Sequence, residues 1–241
     1  TARSPAKLGP RPALELHMLR WLLIFVVIAA AAWWLGSPSR PALPVAATSP
    51  TATTTAASST PTRTVVACAP PARLAGDDGT VQSDAPGGMT PFALKNATAK
   101  PLAGFSVAAR VLGRKEYGSD READFAPLDL ALGWNRMRDD AVLSQLDISQ
   151  SGRFYRYRWS RDPPIPPDEI VRSSANMHLV PANEAIADAL EAVDADDRVR
   201  IDGWLVQIEA ADGWRWRSSL TREDSGAGAC EVIYVCGVTV R

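Results

Sequence analysis

The chain carries the segment Val199-Arg-Ile-Asp-Gly-Trp-Leu-Val-Gln-Ile-Glu-Ala-Ala-Asp-Gly-Trp-Arg-Trp216, which has the pattern of two strands joined by a turn. Apolar side chains alternate along it, and the alternation changes to the other side of the strand after Gly203. The apolar positions are Val199 and Ile201 before this glycine and Trp204, Val206 and Ile208 after it. A glycine at such a change predicts a bulge or sharp bend, as in a strand that turns the corner of a small barrel. Asp212-Gly213 predicts the hairpin turn that follows.

Outward from this segment, the patterns predict one folded domain over residues 91–241. Alternating apolar residues predict further strands near residues 105–111, 153–159 and 230–240. One-sided apolar faces predict helices just after Asp139 and over residues 182–193. We therefore expect an α+β fold: a small bent antiparallel sheet, forming an OB-like or SH3-like partial barrel, with two short helices.

Residues 21–36 form an apolar run that, with the residues just before it, approaches the roughly 20 residues of a membrane-spanning helix. Basic residues precede the run, and positive flanks stay in the cytoplasm. They are Arg3, Lys7, Arg11 and Arg20. The sequence predicts a cytoplasmic tail over residues 1–20, a transmembrane anchor over 21–36 and a C-terminal part exported across the membrane.

Two alternatives to this N-terminal prediction stay open. The apolar run also fits a cleaved signal peptide, because Ala30-Ala31-Ala32 offers small residues for cleavage. The first methionine is Met18, so a start there would make residues 1–17 a mis-annotated extension. Both alternatives predict export as well.

Residues 37–90 are rich in Pro, Ala, Ser and Thr and predict a disordered linker, because such a stretch buries too little apolar surface to offset chain entropy. Cys68 falls in this linker. Cys230 and Cys236 lie six residues apart in a predicted strand, about 20 Å between Cα atoms, which is too far for a disulfide. The three cysteines therefore give no obvious disulfide framework.

Charge and composition exclude some functions. The chain has 26 Lys and Arg against 27 Asp and Glu, so no positive field favours nucleic acid. His178 is the only histidine beyond the N-terminal tail, and the cysteines are poorly spaced for a metal. We predict no metal site and no cofactor.

Arginines alternate with aromatic residues in two predicted strands, 153–159 and 214–217. If these strands pair, four arginines line one surface: Arg156, Arg158, Arg215 and Arg217. Guanidinium groups bind phosphates and carboxylates through paired donors, so this surface is a candidate site for an anionic ligand. The alternative is a half-buried sheet whose arginines pair with nearby acids.

His178 and Cys230 form a second candidate, this time for catalysis. Cys230 follows a loop of small residues and is a candidate nucleophile, and His178 is the histidine that would activate it. The candidates to orient the imidazole are Asn176, Asn183, Asp224 and Glu231. The alternative is a structural histidine and a tight loop leading into a strand.

Three motifs resemble a group of uncharacterised bacterial single-pass envelope proteins. They are Leu146-Asp-Ile-Ser-Gln-Ser-Gly152, Ser174-Ala-Asn-Met-His-Leu-Val-Pro-Ala182 and Asp212-Gly-Trp-Arg-Trp-Arg-Ser-Ser-Leu-Thr-Arg222. The resemblance spans roughly residues 125–235 and implies a bacterial envelope protein, with no known activity or site residue.

The sequence therefore favours a membrane-anchored envelope protein that presents a periplasmic binding domain to a protein or an anionic ligand. The alternative is an envelope hydrolase or acyl transferase that uses Cys230 and His178. A third hypothesis, an OB-like nucleic-acid binder, is opposed by export and by the net negative charge.

Overall fold

The structure is a computed structural model that describes residues 62–226 and 228–241. Its strands are β1 (Arg63–Val66), β2 (Gly79–Asp84), β3 (Phe92–Leu94), β4 (Ala97–Glu116), β5 (Leu128–Gly133), β6 (Asp147–Ser151), β7 (Phe154–Arg158), β8 (Ser174–Pro181), β9 (Arg198–Ala210), β10 (Arg215–Arg217) and β11 (Glu231–Val240). Its α-helices are α1 (Asp140–Leu143), α2 (Pro167–Arg172) and α3 (Glu184–Glu191). Strands dominate, which confirms the predicted sheet-based α+β class.

Five strands pair into a closed ring. β4 pairs antiparallel with β5 and β9, and β5 pairs antiparallel with β8. β11 pairs parallel with β8 and antiparallel with β9, which closes the ring. β4 reaches two neighbours because it is 20 residues long, and register shifts after Pro101 and Val111 bend it between them.

Apolar side chains fill the inside of this ring. Phe105, Val107 and Val111 on β4 point inward and are fully buried, as their alternation predicted. Inward residues of the other four ring strands complete the core, and α3 packs Ile186 and Leu190 against it. Burial of each large side chain contributes about 1.5–3 kcal/mol, so this core is the main source of stability.

Three α-helices occur in the described part, one more than predicted. α1 follows Asp139 as expected, and α3 lies within the predicted range. α3 begins after Asn183, whose Oδ1 accepts a hydrogen bond from the Ile186 backbone N–H at 3.1 Å. α2 was not predicted; Pro167 occupies its first turn, where the fixed φ of proline suits a helix start.

The change of parity predicted in β9 at Gly203 does not occur, and the bulge near this glycine lies in the partner strand, where the β9–β11 register shifts between Val235 and Gly237. The inward residues keep one parity through this glycine: Val199, Ile201 and Leu205. The residues on the opposite face belong to a second apolar cluster outside the ring: Trp204, Val206 and Ile208. The apolar residues of the sequence shift from one face to the other after Gly203 because this part of β9 is buried on both faces. Gly203 has a different role, since a Cβ there would collide with the carbonyl oxygen of Tyr234 on β11.

The predicted linker is wrong from residue 62 onward. β1 pairs with β11, and β2 pairs with β4. Both strands gain main-chain hydrogen bonds from an existing sheet, so they form without large apolar side chains of their own. The folded domain therefore includes Arg63 and does not begin at Pro91. Residues 37–61 of the predicted linker, the predicted tail (1–20) and the predicted anchor (21–36) lie outside the described residues.

A disulfide is present that the cysteine spacing did not indicate. Cys68 is bonded to Cys236, with their Cα atoms 4.8 Å apart, and Cys230 is a free thiol. The bond joins the segment after β1 to β11 and packs in the outer apolar cluster.

Within the residues that the structure describes, no helix has both the length and the apolar character needed to cross a membrane.

Candidate functional site

The four arginines that were predicted to form one surface lie on strands that do not pair. β7 carries Arg156 and Arg158 and pairs with β6, whereas β10 carries Arg215 and Arg217 and pairs with β9. All four are exposed, and each has a local partner. The partners are Ser151 for Arg156, Asp147 for Arg158, Glu209 for Arg215 and Gln207 for Arg217. The condition for a shared arginine surface, pairing of these two strands, is therefore not met.

His178 lies on the outer face of the ring beside a buried carboxylate, Asp129. The two residues are directly opposite each other in the pairing of β5 with β8. Nδ1 of His178 is 2.9 Å from Oδ1 of Asp129, but off the axis of a good hydrogen bond. The imidazole also packs against Trp216, with 4.9 Å between ring centroids. Asp129, rather than any residue predicted to orient the imidazole, is the carboxylate next to it.

Arg153 brings a positive charge to Asp129. It occupies the turn between β6 and β7 with a φ of 67°, a left-handed conformation that is uncommon outside glycine. Its guanidinium lies 2.8 Å from Asp129 Oδ1 and makes two hydrogen bonds with Asp120, at 2.6 and 2.9 Å. These bonds favour the ionised carboxylate, so the pKa of Asp120 lies below its usual value. The ring of Tyr117 stacks under the guanidinium at 3.8 Å.

Asn176 connects the members of this group. Its Nδ2 donates to Asp129 Oδ2 at 3.1 Å and to the carbonyl oxygen of Arg153 at 3.2 Å. Its Oδ1 accepts a hydrogen bond from Gln150 at 2.8 Å. Asp129 is fully buried, and these neighbours compensate the loss of its hydration. We call Asp120, Asp129, Arg153, Asn176 and His178 the Asp129 cluster.

The thiol of Cys230 adjoins the Asp129 cluster but is not activated. It donates toward the carbonyl oxygen of Arg153 at 3.8 Å, and among the described residues no hydrogen bond joins it to His178. Burial, together with the nearby charges of Glu231, Asp129 and Asp224, raises the pKa of the thiol to about 12. The thiol is therefore protonated at neutral pH, whereas a cysteine nucleophile reacts as the thiolate.

We predict slow alkylation of Cys230 by iodoacetamide at pH 7.5 in the folded protein. A pKa near 12 lowers the thiolate fraction, and the higher intrinsic nucleophilicity of such a thiolate offsets only part of this loss. The net rate should be on the order of 100-fold below that of a free cysteine. Mass spectrometry of the full chain, folded and in urea, measures the difference. Rapid stoichiometric labelling of the folded protein that is lost in His178→Ala would contradict it.

A cavity of 120 Å³ lies beside the Asp129 cluster, bounded by the β6–β7 hairpin, the start of β8 and the loop 218–230. Aromatic residues of β7 are among those that line it: Phe154, Tyr155 and Tyr157. Its polar side chains include Ser174, Asn176, Arg222, Asp224 and Glu231. Asn176 therefore belongs both to the cavity lining and to the Asp129 cluster.

Glu231 and Arg222 hold an incomplete ion pair at this cavity. Arg222 Nε lies 2.5 Å from Glu231 Oε1. Glu231 Oε2 and Arg222 Nη2 are buried and have no hydrogen-bond partner among the described residues. Burial raises the pKa of the Glu231 carboxyl to about 7 and outweighs the opposing attraction of Arg222. Buried polar groups usually have hydrogen-bond partners, so these two unpaired atoms are an exception in this fold.

Sequence reasoning missed several residues of this site. Asp129 had a signal, because it is the only charged residue in the apolar run Leu-Asp-Leu-Ala-Leu-Gly of β5. Arg222 had no such signal in the sequence, because the residues around it have the composition of an ordinary loop between two strands. Arg153 was included in an alternating strand, whereas it is the turn residue that precedes β7.

Comparisons with known proteins add no family to this description. No protein-family model, curated protein or solved structure matches the chain. The resemblance to uncharacterised bacterial single-pass proteins stays a prediction, and function is inferred from the geometry of the Asp129 cluster and the cavity.

Proposed function

We propose that this chain is a bacterial inner-membrane protein, anchored by residues 21–36, that presents a binding domain in the periplasm. The observation that carries the binding role is the convergence of three connecting segments over β5 and β8. The β4–β5 loop supplies Asp120, the β6–β7 hairpin supplies Arg153, and the loop before β11 supplies Cys230, whose thiol contacts the carbonyl oxygen of Arg153. A cavity with converging polar groups is the feature expected of a ligand site.

We favour an OB-like barrel as the finer description of the fold. The ring order β4-β5-β8-β11-β9 places three consecutive strands before the fifth and fourth, a Greek-key order. OB folds bind ligands on the face of the second and third strands and with the first-to-second and fourth-to-fifth loops. Those elements here are β5, β8 and the loops that contribute Asp120 and Arg222. This is an analogy of fold, and the chemistry of the site supports it separately.

The disulfide supports export of the domain. Structural disulfides are rare in the cytosol and common in the periplasm. The bond between Cys68 and Cys236 therefore agrees with the orientation that the basic flank of the apolar run predicted. Binding to nucleic acid has little support, because the chain carries a net charge of −1 and the proposed location lacks nucleic acid.

The alternative function, a Cys/His-dependent envelope hydrolase or acyl transferase, has weaker support. The thiol of Cys230 is surrounded by carboxylates, whereas a nucleophilic cysteine needs a positive neighbour. A ligand at the four arginines also has weaker support than one at the cavity, because each arginine is exposed and has its own local partner.

Photo-crosslinking in intact cells tests the binding face. A photo-reactive amino acid replaces Phe154, an exposed residue at the cavity, in the full chain. The control position is Asp188, exposed on α3. We expect adducts at Phe154 and none at Asp188. Equal adducts at both positions, or none at Phe154, would remove the support for this face.

Protease treatment of spheroplasts tests the location. The domain should be digested in spheroplasts, protected in intact cells, and recovered from intact cells with Cys68 and Cys236 oxidised. Protection that ends only when the inner membrane is lysed would contradict a periplasmic domain.

A further inference from the structure

We propose that a second site, at the end of the ring where β11 ends, binds a phosphate group. The site is a cavity of 320 Å³, here called the Arg198 pocket, whose lining includes Arg138, Arg198, Arg200 and Arg241. Its volume is at the lower end of the roughly 300–1,000 Å³ of ligand pockets. It shares no lining residue with the cavity beside the Asp129 cluster, so the inference goes beyond the proposed function and does not depend on it.

The pairing of three neighbouring strands brings arginines to one face. Arg198 and Arg200 are two residues apart on β9, so their side chains share the face opposite to that of the inward Val199. Arg110 on β4 is directly opposite Arg198. On the other side of β9, the backbone N–H of Arg241 donates to the carbonyl oxygen of Arg198 at 2.8 Å. Like charges directly opposite each other destabilise a sheet, so a bound anion would relieve the repulsion in this row.

Within the described residues, Arg198 is the member of this group without a charged partner. Its side chain is exposed and makes no hydrogen bond to another described residue. Carboxylates partner the other arginines: Asp140 and Asp196 for Arg110, Asp78 for Arg138, Asp202 for Arg200 and Asp77 for Arg241. The guanidinium of Arg198 is therefore free to donate paired hydrogen bonds to a ligand.

Arg200 adds further donors beside Arg198. Its Nε lies 3.1 Å from Oδ2 of Asp202, which in turn accepts a hydrogen bond from Ser106 at 2.6 Å. This contact uses one of the five N–H donors of the guanidinium, and the η nitrogens have no partner among the described residues. The Arg200 side chain is 25% exposed, and Ala108, opposite it on β4, is too small to cover it.

The charge of the pocket favours an anion with several oxygens. Its lining has four guanidinium groups against one carboxylate, that of Asp77. The Asp77 side chain is 89% exposed, so its pair with Arg241 is a surface contact that a ligand can displace. A phosphate monoester carries about −1.5 to −2 charges and three acceptor oxygens, whereas a carboxylate has one charge and two oxygens. Phosphate can therefore accept from Arg198 and Arg200 together.

Calorimetric titration of the full chain in a non-ionic detergent tests the proposal. The probes are inorganic phosphate and glycerophosphoglycerol, the water-soluble headgroup of an anionic phospholipid, so the two arms distinguish a free phosphate from a lipid headgroup. We expect at least one probe to bind. Arg198→Gln should weaken its affinity about 10- to 100-fold, because the charged donor is lost.

Two further variants control this experiment. Arg158→Gln removes an exposed arginine of β7 outside the pocket and should leave the affinity unchanged. Asp77→Asn removes the acid from the pocket lining and should tighten binding by a factor of about 3–10, because a like charge near the ligand is lost and Arg241 is released. The thermal midpoint of each variant checks that it is folded.

Several outcomes would overturn the proposal. Unchanged affinity in Arg198→Gln would show that phosphate binds elsewhere. Equal losses in Arg198→Gln and Arg158→Gln would mean that phosphate responds to the overall charge and not to this pocket. Failure of both probes to bind at millimolar concentration would also contradict it, whatever crosslinking at Phe154 shows about the other cavity.

Discussion

Replacing both Cys68 and Cys236 with alanine should lower the free energy of unfolding of the domain by about 2–5 kcal/mol. The disulfide joins residues 168 positions apart, so its loss releases a long loop and gives the unfolded chain much more conformational freedom. Cys236 is also fully buried in the outer apolar cluster, where alanine leaves a small void. Urea unfolding of the full chain in detergent, followed by far-UV circular dichroism, measures the change.

The matched control is Cys230→Ala, which removes the free cysteine and keeps the disulfide. This variant should lower the free energy of unfolding by less than about 1 kcal/mol, because the thiol makes one long hydrogen bond and is half-buried. Reducing the native protein should reproduce the loss seen in the double variant. An unchanged urea midpoint in the double variant would show that the folded state does not depend on the disulfide.

Asp129→Ala should cost about 3–5 kcal/mol, the range measured when one partner of a buried ion pair is removed. Asp129 is fully buried, and its loss leaves Arg153 Nη1 and Asn176 Nδ2 without their shared acceptor. Arg153 keeps Asp120, so the effect belongs at the lower end of that range. The same unfolding experiment measures it.

Asp147→Ala is the control for this prediction. Its side chain is 70% exposed and lies 3.6 Å from Arg158, a typical surface pair. Removing it should change the free energy of unfolding by less than about 0.5 kcal/mol. Similar losses in Asp129→Ala and Asp147→Ala would mean that the Asp129 cluster contributes no more than an ordinary surface contact.

Local patterns predicted what depends on neighbours in the chain. The inward positions of β4, including Phe105 and Val107, follow from a period of two that each strand carries in its own sequence. Asp212-Gly213 predicted the turn before β10 for the same reason. The inward positions of β9 were harder to predict, because Trp204 and Ile208 pack in the outer apolar cluster. That cluster depends on residues of β3 and β10.

Long-range pairing explains what could not be predicted. β1 has no apolar pattern strong enough to mark a strand, and it exists because β11 offers it hydrogen bonds from the other end of the sequence. Its placement also brings Cys68 to Cys236. The Asp129 cluster has the same origin, since Asp120, Asp129, Arg153 and His178 come from four separate segments. Sequence spacing identified His178 but not the carboxylate that faces it.

The position of the disulfide also determines how the domain bears mechanical load. Tension applied between the chain that precedes Arg63 and the C-terminal Arg241 enters through β1 and reaches Cys68. From there it crosses the covalent bond to Cys236 and leaves along the end of β11. The ring strands β4, β5, β8 and β9 lie outside this covalent path, so such a pull can detach β1 from β11 and the end of β11 from β9 but cannot unravel the residues between the two cysteines.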